Sequence, residues 1–293
     1  MNFVSISKRN KDYFIEGNSL NINHLIRDLL TKNNIKKNSL TNEKLKFSIK
    51  IDQVYLDKDN KLKDFSGYII HKNSKVVETA LSSKFEDNKK IKFTIKTNGN
   101  ETITTLFSSN AKPLVNRYKF IKGFDEGSLD FFSVKKNNIS TSTIKIYDFK
   151  LKKLPALTKL LTLASLQGIA DLLSGEGIRF NDFEMNFSND DKLMTINEIY
   201  AIGPAISVLM DGYIEENKLI SLRGTLVPAT TLNKTIGSIP FLGNILVGKK
   251  VGEGVFGVSF KIKGPPKKLE TTVNPIKTLT PRFITRTLEK IKN

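Results

Sequence analysis

The 293-residue chain has no cysteine, only two histidines and few arginines. Without cysteine there is no disulfide framework, no thiolate nucleophile and no thiolate metal site, and either redox compartment is open to it. His24 and His71 lie far apart in sequence, with no carboxylate or second histidine at ligand spacing, so each is expected on the surface or in the core and no metal is expected. No stretch supplies the roughly 20 uninterrupted apolar residues of a membrane span. The nearest, residues 154–173, is interrupted by Lys159, Gln167 and Asp171. The opening MNFVSISKRNKDYFIEG lacks the apolar core of a secretory signal.

Signatures of catalysis are missing too. There is no G-x-S-x-G, no Walker loop and no Ser-His-Asp spacing. The acidic pairs Asp190-Asp191 and Glu215-Glu216 fall in expected turns, and adjacent carboxylates on a loop do not face each other across a cleft. Gly252, Gly254 and Gly257 spell G-x-G-x-x-G, but a dinucleotide site needs a helix after the glycines and here a strand pattern follows. The chain is therefore expected to be no enzyme and to use no cofactor.

What is abundant is positive charge. The net charge is +18, with 28 Lys or Arg against 16 Asp or Glu in residues 1–150, and 19 against 13 in residues 151–293. Such an excess suits nucleic acid, an anionic membrane surface or an acidic partner. It is almost all lysine and accompanies heavy Asn and Ile use, the composition of an AT-rich genome. Phosphate-reading proteins favour the arginine fork. With no aromatic platform evident among the basic residues, no nucleic acid partner is expected.

Period-two alternation dominates the apolar pattern. Leu45, Phe47, Ile49 and Ile51 alternate with lysine and serine, as do Ile91, Phe93 and Ile95 with lysine and threonine, so each strand has one greasy and one basic face. The pattern returns at Ile144 and Ile146 and then slips phase to Phe149 and Leu151, as a bulge near Tyr147 would produce. It recurs at Ile206, Val208 and Met210, at Ile220 and Leu222, and most cleanly at Phe256, Val258, Phe260 and Ile262. Turns are expected at Asn98-Gly99, Asp211-Gly212 and Gly264-Pro265. The fold class is mainly β, an antiparallel meander with few helices.

Short helices are expected over 21–31 and from Pro155, where Leu157, Leu160, Leu161 and Ala164 share a face. After Ser165 the apolar positions Leu166, Ile169, Leu172 and Leu173 continue on a different face, giving two short helices or a kinked one that ends at Gly175. One or two helical turns broken by Pro240 are expected within 231–246. A final helix is expected with Thr280 as N-cap and Pro281 first, carrying Phe283, Ile284, Leu288 and Ile291 on one side and Arg282, Arg286 and Lys290 on another. Such a helix can lie in an anionic membrane surface. The one internal boundary is a change of character near Lys150, dividing a basic strand-rich segment 1–150 from 151–293, and the sheet can run through it.

The order of turn residues in the last 140 positions carries a resemblance. A turn at Val227-Pro228, Asn233, Ile239-Pro240-Phe241-Leu242-Gly243, Gly252-Glu253-Gly254-Val255-Phe256, Lys263-Gly264-Pro265 and Val273-Asn274-Pro275 follow one another as in the C-terminal region of AsmA-like bacterial envelope proteins. The chain resembles the YhdP/TamB-type group, on its YhdP side. Two departures touch local turns: Pro281-Arg282 stands where the group has Pro-Gly, and Pro266-Lys267-Lys268 where an acidic-Pro step follows Gly264-Pro265. The resemblance implies structural roles for Pro228, Asn233, Pro240, Gly243, Gly254, Gly264, Asn274 and Pro275. It further implies a curved antiparallel sheet with an open apolar groove, a slide for phospholipid acyl chains in the cell envelope. Export or anchoring would then come from a segment upstream. Expected partners are phospholipid, a membrane surface and other envelope proteins. In that geometry Leu45, Phe47, Ile49, Ile51, Ile91, Phe93, Ile95, Phe256, Val258, Phe260 and Ile262 line the groove, whereas in a closed sandwich they are core. An alternative from the same group is a scaffold for outer-membrane protein assembly acting by strand addition.

Overall fold

The computed structural model of the chain describes residues 2–23, 43–73, 75–116, 123–152, 155–163, 166–190, 192–228, 257–266 and 268–276. Among them fifteen strands form one open sheet whose spatial order is the chain order. They are β1 (Phe3–Arg9), β2 (Asp12–Asn21), β3 (Leu45–Tyr55), β4 (Lys61–Lys72), β5 (Lys75–Phe85), β6 (Lys90–Asn98), β7 (Glu101–Ser108), β8 (Phe124–Lys136), β9 (Ile139–Leu151), β10 (Ile178–Asp190), β11 (Leu193–Ile202), β12 (Ile206–Glu215), β13 (Leu219–Pro228), β14 (Gly257–Gly264) and β15 (Glu270–Ile276). Three short helices accompany them: α1 (Lys112–Val115), α2 (Pro155–Leu163) and α3 (Gln167–Ser174). The expected mainly β meander is thus present. One pairing departs from it, since β2 and β3 run parallel.

Tight turns of Asn and Gly join many of the strands. Gly99, Asn137 and Asn217 take positive φ (57°, 55° and 57°) after β6, β8 and β12, a conformation these residues tolerate best. After β3 the Asp57 carboxylate accepts from the backbone N–H groups of Asp59 and Asn60 at 2.9 and 2.8 Å, closing the turn into β4. Gly264-Pro265 is a turn as expected, closed by Lys268 N–H donating to the Pro265 carbonyl at 2.8 Å.

Asp211-Gly212 is not a turn. Both residues sit inside β12, opposite Arg223 and Leu222, and Gly212 supplies a φ of 150° in mid-strand, where a Cβ would run into the Ser221 carbonyl oxygen. Val227-Pro228 likewise ends β13 as paired strand, opposite Ser207 and Ile206. Asn21 closes β2 rather than opening a helix. Residues 24–31, 231–246 and 280–291, where other helices were expected, lie outside the described residues.

The phase slip in β9 has its cause at Asp148, whose φ of 51° lets Ile146 and Phe149 both be buried. A positive φ at Asp64 (53°) marks the equivalent irregularity in β4, where the register against β5 shifts.

Contacts group the chain into two units, Met1–Arg117 with Glu126–Ile144, and Tyr118–Asp125 with Lys145–Asn293. In the first unit the buried core is small and sits at one end of β3–β5: Ile51, Val54, Leu56, Leu62 and Phe85, with Ile49, Phe65 and Ile91 packed against it. In the second unit a stack of rings joins three strands, Phe149 lying 5.3 Å from both Phe124 and Phe180. There α2 and α3 form two separate helices, the first of the two arrangements that the change of face at Ser165 allows, with Leu160, Leu161, Ala170 and Leu173 buried and α3 ending at Gly175. The two helices pack on each other, and α2 also contacts β15.

Candidate functional site

Register decides which side chains share a face. In the first unit Leu45, Phe47, Ile49 and Ile51 of β3 stand opposite His71, Ile69, Gly67 and Phe65 of β4. Ile69 and Gly67 stand opposite Thr79 and Leu81 of β5, which in turn face Ile95 and Phe93 of β6. Two candidate sets expected to share a surface, one on β3 and one on β6, therefore do share a face of the sheet.

That face continues in both directions. Ile6, Ile15, Ile49, Gly67, Leu81, Phe93, Leu106 and Phe131 are successive cross-strand partners from β1 to β8. At the usual strand spacing, seven steps make a lane about 34 Å long. Seven of the eight are half-buried, and Ile6 on the edge strand is 69% exposed. In a closed sandwich such positions would be buried. A neighbouring row contains Tyr13 and Phe47, stacked at 5.2 Å, with Lys8 Nζ 5.3 Å from the Tyr13 ring centroid.

Gly67 is the one gap in the lane. Its φ is 145°, and a Cβ there would run into the Ala80 carbonyl oxygen, so only glycine fits.

On β3 and β6 the opposite face is polar and basic. Lys46, Lys50, Lys90, Lys92 and Lys96 alternate with the apolar set, as expected. Lys46 Nζ lies 5.7 Å from the Tyr68 ring centroid, and the Tyr68 hydroxyl donates to the Glu78 carboxylate at 2.7 Å. That hydrogen bond is the main reason the Tyr68 phenol is held above its ordinary pKa, helped by burial and by the Glu78 charge. Thr94 and Thr105 share a 2.7 Å hydrogen bond across the strands. At the β4 and β5 ends Lys61 pairs with Glu86 at 2.8 Å, which raises the lysine pKa and lowers that of the carboxyl.

The remaining groove candidates belong to the second unit and differ in character. Val258 and Phe260 are buried, Phe260 to 4% exposure, while Ile262 is half-buried. These two are core positions there, packed on the face that also carries Leu226, Val208 and Ile199. Phe256 lies outside the described residues. So do Arg282, Phe283, Ile284, Arg286, Leu288, Lys290 and Ile291, and with them Asn233, Pro240, Gly243 and Gly254. Of the other family-motif positions, Gly264 ends β14 with φ 143°, and Asn274 and Pro275 lie in β15 opposite Ser259 and Val258. Gly257, the last glycine of the G-x-G-x-x-G, begins a strand rather than a helix.

Several lane members were not singled out by sequence pattern: Ile6, Ile15, Leu81, Leu106 and Phe131. Ile15 directly follows Tyr13 and Phe14, and Leu106 and Phe131 each adjoin a phenylalanine, so period two does not say which of the adjacent apolar residues faces which way. Among the described residues no three His, Cys, Asp or Glu side chains gather as metal ligands, and no helix is long and apolar enough to cross a membrane. Comparison with family models, with curated proteins and with solved structures returns no match.

Proposed function

We propose that the chain shelters or conducts phospholipid along the apolar face of its sheet, as a non-catalytic protein of the bacterial cell envelope. The observation that carries this reading is the lane from Ile6 to Phe131, of which seven of the eight residues are only half-buried and whose strands, among the described residues of the first unit, all belong to one sheet. One acyl leaflet is about half of a hydrocarbon core of roughly 30 Å, so the lane is longer than a single lipid tail. Each methylene buried contributes roughly 0.8 kcal/mol, and a row of near-uniform aliphatic and aromatic contacts lets a tail advance with little change in energy. No bond need be made or broken. The resemblance to AsmA-like proteins, read from the turn order of the last 140 residues, points the same way and supplies the envelope setting.

The test is native mass spectrometry of the purified chain. Phospholipid is expected to co-isolate, and Phe93→Glu, in mid-lane and half-exposed, is expected to remove it while the protein stays folded. A folded wild-type chain free of lipid, or a Phe93→Glu chain that keeps it, defeats the proposal. Strand addition is a second reading, supported by the edge strand β1, where Phe3 is 59% and Ile6 69% exposed. Its signature is capture of an unfolded outer-membrane β-protein that is lost in Ser5→Pro and Ser7→Pro and is indifferent to Phe93→Glu.

A further inference from the structure

We infer a docking surface for an anionic bilayer on the face of the first unit opposite the lane, formed by β6, β7 and β8. Lys90, Lys92 and Lys96 project from one side of β6, all exposed, and none has an ion-pair partner among the described residues. The same face carries two carboxylates: Glu78, which stands opposite Lys96 and accepts from the Tyr68 hydroxyl, and Asp130, opposite Phe107. The register places Lys92 directly opposite Phe107 of β7, and Thr105, two residues before it, opposite Phe132 of β8. Phe107 and Phe132 are therefore diagonal neighbours on this face. They are 38% and 47% exposed, unusual for phenylalanine on a strand whose other face already carries Leu106 and Phe131.

Two features choose the partner. The cations are compact ammonium groups without a single arginine among them, suited to a diffuse array of headgroup phosphates rather than to bidentate readout. The apolar residues near the phenylalanines on this face are the aliphatic Ile103 and Val134, which pair with each other across β7 and β8. Aliphatic side chains beside the rings widen the apolar patch and add to insertion at the headgroup and acyl boundary. The Thr94 and Thr105 hydroxyls beside them are engaged with each other. Lysines attract the anionic surface and the two rings enter it. This surface is independent of the lane, whose side chains point the other way.

Flotation of the full chain with vesicles tests it. Binding is expected to vesicles of phosphatidylcholine with phosphatidylglycerol, to fall with added salt, and to be much weaker to phosphatidylcholine alone. A lysine near an anionic surface is worth roughly a fivefold gain in partitioning, so Lys90→Gln, Lys92→Gln and Lys96→Gln together should weaken binding on the order of a hundredfold. Phe107→Thr with Phe132→Thr, which keeps strand propensity, should weaken it about tenfold. Both variants should retain any lipid that co-isolates with the wild type, which separates failure here from failure of the lane. The inference is overturned if the triple lysine variant binds as well as wild type, or if deleting residues 278–293 abolishes binding while the variant does not. It is equally overturned if a single-stranded oligonucleotide binds the chain in vesicle-free buffer and loses that binding in the phenylalanine pair, while anionic vesicles do not bind.

Discussion

The two units use the same alternating strands to different ends. In the first, β1–β8 bury one end of one face and leave the rest of that face half-open. In the second, the Ile199–Ala201, Ile206–Leu209 and Thr225–Pro228 segments are buried on successive residues, so both faces are dry over that stretch. Tyr200, at 0% exposure, lies on the face opposite Ile199 and Ala201. Alternation alone therefore does not say whether a greasy face is a core or a surface. What decides is whether something lies on it, and Phe93 and Phe260 show the two outcomes from the same pattern.

Placing a carboxylate at each of those two positions separates them by the largest margin. Phe260→Glu places a carboxylate where nothing compensates it and opens a cavity, a loss of at least ~4 kcal/mol. Phe93→Glu should cost about 1 kcal/mol, as the new group reaches water. Urea titration of both variants measures this. Similar losses for the two would mean that the lane is covered in solution.

A smaller and different comparison concerns the mid-strand glycines, one in each unit. Gly67 and Gly212 share a φ near 150° and each would drive a Cβ into a carbonyl oxygen of the neighbouring strand, Ala80 or Ser221. Because the obstacle is backbone in both cases, Gly67→Ala and Gly212→Ala should each cost about 1–3 kcal/mol, regardless of how dry their surroundings are. Thermal unfolding of the pair checks it, and a loss confined to Gly212→Ala would show that packing rather than backbone sets the penalty.

The smallest effect is electrostatic and belongs to the first unit. The Glu86 carboxyl is held below its ordinary pKa by the hydrogen bond and charge of Lys61, so its contribution is present above the usual carboxylate range and lost as pH falls through the lowered value. Lys61 and Tyr68 are raised, so theirs are present at neutrality and lost as pH rises past their ordinary range. Melting temperature should be flat through neutrality and decline at both ends. Glu86→Gln should lower it slightly at neutral pH, less in high salt, and not at all in strong acid. An equal difference between variant and wild type in strong acid would rule the pair out as its source.

Much of the sheet was legible because alternation is a backbone property. Strands over Leu45–Ile51, Ile91–Ile95 and Val258–Ile262 are where the pattern puts them, and the change of face at Ser165 marks a break that left two helices or a kinked one open and proves to be two. The slip at Ile146–Phe149 was also visible, though its agent, Asp148, was not. Glycine misled at Asp211-Gly212, since a positive φ serves a turn or a strand irregularity equally well. The lane was legible only in part: the β3 and β6 sets were expected on one surface and share a face, while Ile6, Ile15, Leu81, Leu106 and Phe131 were not singled out. Each strand announces its own greasy side, but the assembly of eight such sides depends on register, which turn geometry and bulges set and composition does not. The parallel β2–β3 pairing was invisible for the same reason.

The strand order has an arithmetic consequence. Because every strand lies between its chain neighbours, removing or inserting one complete hairpin shifts the later strands by two positions and returns each to its original direction and facing. A single strand gained or lost among the hairpin-joined, antiparallel strands would reverse the direction of those after it; the parallel β2–β3 step is the exception, since its connection does not reverse the chain. A sheet built this way changes length in hairpin quanta, each adding two rungs of about 4.8 Å, without any redesign of a core.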